Sequence, residues 1–225
     1  MHDPDAPGIG TLNEGSLHRG LKDWLAEPGD RFEVPLAGFV VDLVRGDLLI
    51  EIQTGSLGAL GPKLDHLLDH HRIRVVHPIV VTRWLQVGEA KPRRSPVRGG
   101  VWNVFDALVS LPTLLDHPGL ELQIALVEVT EQRSATERVR RGRRGRVLDR
   151  RLERVVDHHL FTGGAQLLAL LPRDLPSPFT AADLARREGL PAALARRACY
   201  VLRHIGGITE VDRTRAGVRY RDARA

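Results

Sequence analysis

Cysteine is almost missing from this 225-residue chain: Cys199 is the only one. One thiol cannot form an internal disulfide, so the fold must rest on a buried core, and a reducing cytoplasm is the expected setting. Aromatic residues make up 4% of the chain, and lysine occurs only at Lys22, Lys63 and Lys91 among 33 basic residues. No apolar run approaches the roughly 20 residues that a membrane-spanning helix needs. Met1 to Gly10 is acidic and contains proline, with no apolar stretch of the kind a secretory signal carries. No phosphate-binding loop, dinucleotide fingerprint or Ser-His-Asp set stands out.

What remains is an ordinary globular composition, 42% hydrophobic and 27% charged, with room for one domain and a small second one. The formal charge of +5 and a pI near 10.1 favour polyanionic partners. Where the charge lies matters more than its total.

The most informative segment runs from Gly38 to Gln53. Val40 to Arg45 and Leu48 to Gln53 are β-branched and apolar, and Gly46-Asp47 breaks them. A two-residue loop with glycine first suits a type II′ hairpin. If Gly46 and Asp47 are its central pair, Arg45 faces Leu48 and Asp42 faces Glu51. Directly opposed side chains have Cβ atoms about 5 Å apart, and like charges there are destabilising. A divalent cation held by the two carboxylates would offset the repulsion. Strand alternation then puts Gln53 on the face of Glu51.

This Asp-x8-Glu-x-Gln hairpin resembles the PD-(D/E)xK nuclease superfamily. The resemblance covers about the first two thirds of the chain and extends to a bacterial family with this core and a C-terminal winged helix. It implies that Asp42 and Glu51 hold Mg²⁺ (or Mn²⁺). Gln53 stands at the position usually held by Lys, as in the Glu-x-Gln variant of some restriction endonucleases. The superfamily also admits a Lys that has migrated to the following helix, which here is Lys63; the alternative for Lys63 is a solvated helix lysine. Glu14 is either an ordinary first-turn acid or the acid that nucleases of this type place on the first helix to complete the metal site.

The order of elements follows from periodicity. A first helix ends near Leu25 on the stripe Leu17, Leu21, Trp24, Leu25, and Arg31 to Pro35 is a short strand before the hairpin. Thr54-Gly-Ser56 opens a helix striped by Leu57, Leu60, Leu64, Leu67 and Leu68, in which Pro62 is either a bend or the true start. Ile73 to Leu85 is a buried strand, parallel to the hairpin because a helical crossover precedes it. Gln86 to Gly100 is a basic, proline-rich loop, Val101 to Leu115 a helix, and Glu121 to Val129 a strand. His66 and His70 have helical zinc-pair spacing, but no second pair matches them, and a solvated helix face accounts for them.

Arg133 to Arg154 is the densest charge block, with Arg146 to His159 read as helical. The chain thus divides into a nuclease-like core over 1–132, an arginine-rich linker or helix over 133–161, and a winged helix-turn-helix over 162–225. The last unit has helices at Ala165–Leu171, Ala181–Glu188 and from Pro191, then a hairpin closed at Gly217. The expected fold is a restriction-endonuclease-like α/β core, a mixed sheet flanked by helices, plus this small domain. The expected function is metal-dependent DNA hydrolysis in the cytoplasm by Asp42, Glu51, Gln53 and Lys63, with Glu14, Asp42 and Glu51 at the metal. DNA is expected at Arg140, Arg141, Arg143, Arg144, Arg196, Arg197, Arg203, Arg213 and Arg215. A homodimer is compatible with this reading. The rival is a non-enzymatic DNA-binding regulator, or a partner-docking subunit, on a degenerate nuclease fold.

Overall fold

The computed structural model describes residues 15–135, 145–215 and 217–224. A helix, α1 (Ser16–Leu25), is followed by three antiparallel strands, β1 (Arg31–Leu36), β2 (Phe39–Arg45) and β3 (Leu48–Ile52). A 3₁₀ turn at Leu57–Leu60 runs into α2 (Gly61–Leu67), so Pro62 marks the start of the helix rather than a bend. Then come β4 (Arg72–Val87), the two-residue β5 (Arg93–Arg94), α3 (Val104–Leu108), β6 (Leu120–Arg133) and β7 (Val147–Phe161). The sheet order is β1-β2-β3-β4-β6-β7, with β5 pairing on β4. β4 is parallel to both β3 and β6, which makes a mixed sheet.

Each face of this sheet is covered. Leu17, Leu21 and Leu25 of α1 pack over Leu43, Ile50, Val76 and Val127. Leu64 and Leu67 of α2 and Phe105 and Leu108 of α3 pack over Leu49, Val75, Ile79 and Ile124 on the other face. All five residues of β3 are buried, as the unbroken apolar run predicts for a central strand. The fourth member of the α1 stripe, Trp24, instead lies at the surface with its ring edge against His158. Arg45 fastens the end of α1 to the end of β2, donating to the Leu25 carbonyl at 2.6 Å and to both Asp30 oxygens.

Two expectations need correction. Residues 146–159 are not helical: β7 is a 15-residue strand antiparallel to β6, so the main sheet runs on past residue 132 to Phe161 instead of giving way to a linker. The registers shift at three places along β6 and β7, each marking an extra residue in β7. The less exposed positions become Asp149, Leu152, Val155 and His159, at intervals of three or four that imitate a helix pattern. Val101 to Leu115 likewise is not one helix but a 3₁₀ turn, the short α3 and a second 3₁₀ turn.

The C-terminal residues form α4 (Gly164–Leu168), β8 (Phe179–Thr180), α5 (Ala181–Glu188), α6 (Ala192–His204), β9 (Ile208–Thr214) and β10 (Gly217–Asp222). The last three strands in this part make a small sheet in the order β8-β10-β9. Thr180 and Asp183 form a capping box on α5, and Gly189 ends it with φ +64°. Leu194, Ala198, Val201 and Leu202 of α6 are buried as the spacing requires. Arg197 of α6 reaches Asp106 of α3 at 2.8 Å, which ties this part to the main sheet's helices. Cys199 is buried in α6, and burial pushes its thiol up to about 12, so it serves as a packing residue.

The seat of α1 gives a direct test. A Cβ on Gly20 would stand 2.9 Å from Leu152 Cβ. Gly20→Val should destabilise the protein by about 1–3 kcal/mol in urea unfolding through overpacking. Leu152→Ala in the same chain should recover a large part of that loss, since contacting residues couple.

Candidate active site

The Gly46-Asp47 turn sets the register. Gly46 has φ +59° and Asp47 does not have a positive φ, as a type II′ turn requires. Arg45 faces Leu48, Val44 faces Leu49 and Leu43 faces Ile50. Asp42 and Glu51 come next, and there the ladder gives way. The Ile52 N–H donates to Asp42 Oδ2 at 2.7 Å, so a side chain takes the place of a backbone acceptor and the strands part around the two acids. On the other side of Asp42, the β1 register steps from Phe32–Leu43 to Val34–Val41. Glu33 sits in that gap with φ +50°, a conformation rare for a residue with a Cβ.

Basic side chains close on this row of carboxylates from both faces of the sheet. His18 Nε2 of α1 lies 3.2 Å from Asp42 Oδ2, and Lys22, one helical turn later, contacts Glu33. From α2, Lys63 Nζ reaches Glu51 Oε1 at 2.5 Å and donates to the Val40 carbonyl at 2.6 Å. The Lys63 approach to Glu51 is a charge contact without hydrogen-bond angles.

The two acids respond oppositely. Burial raises the Asp42 carboxyl, but the close His18 contact and the Ile52 hydrogen bond, with the charges of His18 and Lys22, outweigh it and leave its pKa lowered. Burial and then the Asp42 charge push Glu51 up to about 7, against the pull of Lys63. One carboxylate is thus held ionised while its neighbour half-titrates at neutral pH. Such divergence marks functional sites more often than structural ones.

The expected residues fare unevenly. Asp42, Glu51 and Lys63 come together. Gln53 follows on the same strand, but its amide nitrogen donates to the Ser56 carbonyl at 2.7 Å and so is held by the next loop. Glu14 lies outside the described residues, as do Arg140, Arg141, Arg143 and Arg144. Arg197 is taken up by Asp106, and Arg203 lies 3.6 Å from Glu210. Arg196, Arg213 and Arg215 make no ion pair among the described residues. Sequence reasoning missed His18, Lys22, Glu33 and His77. The last is half-buried beside the site with Nδ1 2.7 Å from the Gln53 carbonyl, and desolvation lowers its pKa. The signal for the first two was their i,i+4 spacing on α1, next to its buried stripe.

Asp42 and Glu51 are the residues that could hold a divalent cation. Their oxygens suit a hard ion such as Mg²⁺, which binds through one or two carboxylates and keeps its waters. A cation between them would return the buried Glu51 to its ionised form, so the residues fit such an ion. Among the described residues no group of three His, Cys, Asp or Glu side chains is arranged to hold a metal.

Residues 15–162, which span α1 through β7, match the family described as Domain of unknown function (DUF8091). The chain belongs to this DUF8091 family. An uncharacterized protein of Treponema pallidum (strain Nichols) is 34% identical over 186 residues, covering 79% of this chain and 74% of that protein. No solved structure matches. The DUF8091 match ends just after β7, so the family's unit includes the strand that the sequence reading had assigned to a linker. No helix among the described residues is long and apolar enough to cross a membrane.

The raised Glu51 has a pH signature. A carboxyl that ionises near 4.5 unfolded and near 7 folded releases its proton first in the unfolded state. Stability should therefore fall as pH rises between those values and level off above 7, by about 3 kcal/mol in total. In chelator, Glu51→Gln should remove this decline and match or exceed the wild type in melting temperature above pH 7. A variant melting far below wild type there would make Glu51 a structural ion-pair partner of Lys63.

Proposed function

We propose that this DUF8091 chain is a metal-dependent nuclease that hydrolyses nucleic-acid phosphodiester bonds, with a C-terminal winged helix that engages DNA. The observation that carries the reading is the Asp42–Glu51 pair. It lies across a fixed register in the centre of a helix-covered sheet, with one acid held ionised and the other driven up by burial and by its neighbour's charge. A purely structural pair of like charges in that position would be a net cost. The mixed sheet supports it, with its antiparallel hairpin followed by a crossover to parallel β4.

In this reading Asp42 and Glu51 hold Mg²⁺ or Mn²⁺. The bound ion supplies a water of lowered pKa and offsets charge on the scissile phosphate. The chain's own groups do the rest. Ile52 N–H and His18 fix the Asp42 carboxylate, and Lys63 stands beside Glu51 as the fixed cation that Gln53 does not provide. His77 buttresses the Gln53 carbonyl from β4. Glu14, outside the described residues, is the remaining candidate acid.

The C-terminal helices and the β9–β10 hairpin fit a winged helix in element order. Arg196 on α6 and Arg213 on β9 border one groove with Thr180, Ala192 and Tyr220, and no acid lines it. Its volume is about 420 Å³. That groove, rather than Arg197, is where a phosphate backbone would lie. The rival reading, a non-enzymatic DNA-binding or docking protein, keeps the groove and dispenses with the metal.

The decisive measurement is cleavage of mixed DNA substrates with and without Mg²⁺. Wild type should cut only with metal, and Asp42→Ala should not cut at all while still binding DNA. Metal at 100 times its Kd should stabilise wild type by about 2.7 kcal/mol and leave Asp42→Ala unmoved. Cleavage by neither protein, with no metal-induced shift, would leave the rival. On the binding side, Arg196→Ala with Arg213→Ala should lower the salt slope of duplex binding by about 1.8, at roughly 0.9 per phosphate contact. Arg197→Ala should lower melting temperature more than affinity.

A further inference from the structure

The basic, proline-rich segment from Gln86 to Gly100 has no part in the site described above, yet among the described residues it is a concentrated source of uncommitted charge. The arginines of β7 are spent: Arg150 on Glu131, Arg151 on Glu153 and Arg154 on Glu128. So are Arg83 and Arg133, which share the fully buried Glu131 with Arg150. By contrast Lys91, Arg93, Arg94 and Arg98 are all exposed, and none makes an ion pair among the described residues. Arg94 only lends charge to Glu128 without touching it. Four unpaired cations within eight residues, against the single Glu89, form a local field that counter-ions or a polyanion must answer.

The structure gives this segment a shape. Residues 93 and 94 pair with β4, Arg93 opposite Leu85 and Arg94 opposite Trp84. Directly paired residues of antiparallel strands share a face, so Arg94 and Trp84 stand side by side. Trp84 is 36% exposed and stacks on no other ring among the described residues. A large aromatic held at the surface by a rigid strand, with cations beside it, presents a π-face and charge together. That combination suits bases that are free to stack and a backbone that carries phosphates. A duplex offers no base face to such a ring.

The carboxylates lie further along β4. Val75 pairs with Glu51, and Trp84 lies nine residues further along β4, roughly 30 Å at strand rise. Between the two, Val75 and Ile79 are buried under α2 and α3, so the ribbon is a surface separate from the carboxylates.

We propose that the β4–β5 ribbon, with Trp84 stacking a base and Lys91, Arg93, Arg94 and Arg98 taking phosphates, is a binding surface for single-stranded nucleic acid. This deepens the nuclease reading by naming a substrate class, and it rests on that reading only for what becomes of the bound strand. The test uses the full chain in chelator, so that no cleavage enters. A single-stranded DNA oligonucleotide, its RNA equivalent and the matching duplex are titrated while tryptophan fluorescence and labelled-oligonucleotide anisotropy are followed. The expected result is quenching by the single strands but not by the duplex. Trp84→Leu should abolish the quenching and weaken single-strand binding about tenfold, and Trp84→Tyr should restore most of the affinity. Arg93→Ala with Arg94→Ala should reduce the salt slope of single-strand binding by about 1.4, at roughly 0.7 per phosphate. Trp84 and both arginines are at the surface, so the variants should melt with the wild type. The DNA and RNA arms distinguish which strand is preferred. Equal binding of single strands by wild type and Trp84→Leu would overturn the proposal, as would duplex binding alone. Trp84 responding to anionic phospholipid vesicles and not to oligonucleotides would overturn it in favour of a membrane surface. If Trp84→Leu loses single-strand affinity while Mg²⁺ supports no cleavage, the ribbon stands and the nuclease reading falls.

Discussion

A two-residue turn leaves two strands no choice of register. Gly46 alone takes the positive φ that the turn demands, and from it the pairing of Leu48, Leu49 and Ile50 with β2 is determined residue by residue. A slip of one position would turn every apolar side chain of β3 from one covered face to the other and put Glu51 against α1. Because both faces of β3 are packed, no slip is available. Asp42 is therefore delivered to Glu51 by backbone geometry, and the surrounding groups accommodate the result. His18 and Ile52 N–H settle Asp42, Lys63 approaches Glu51, and Lys22 draws Glu33 away on the far side. The site is an electrostatic compromise imposed by a turn.

Charge elsewhere on the molecule sorts into spent and unspent. Along β6 and β7, glutamates and arginines alternate across the pair, and Glu131 is buried among three guanidinium groups. Removing that carboxylate would leave cations facing one another in a poorly hydrated setting, which is the costly way to break such a cluster. A total charge of +5 thus says little about where an anion would bind. What matters is which side chains are left over, and among the described residues these include the arginines of the β4–β5 ribbon and of the groove beside α6.

Much of this was legible in the sequence, for identifiable reasons. The hairpin was readable because turn chemistry and β-branched strands agree, and the parallel crossover because α2 is too long to be a hairpin loop. The helices α5 and α6 announced themselves through Thr180, Gly189 and the Leu194–Leu202 spacing. β7 was misread for a physical reason. Three extra residues, near Leu148, Glu153 and Val156, convert a period of two into less exposed positions three or four apart, which is the signature of a helix. The residues that come together, Asp42, Glu51 and Lys63, could be singled out because carboxylates within apolar strands are conspicuous and lysine is scarce. Glu33 was invisible because its role depends on a break in strand pairing that no local pattern encodes. The tie of Arg197 to Asp106 was not legible because a side chain off the buried stripe of its own helix can still be claimed by a neighbouring helix.

The same irregularity that disguises β7 has a social consequence. It is the outermost strand of the large sheet, 15 residues long, and a regular strand of that length would offer another copy an unbroken comb of donors and acceptors to zip onto. Each inserted residue throws the next hydrogen-bonding groups out of step, and the charged side chains between them resist stacking. A chain that keeps its longest edge out of rhythm in this way can remain concentrated without its sheets growing into one another.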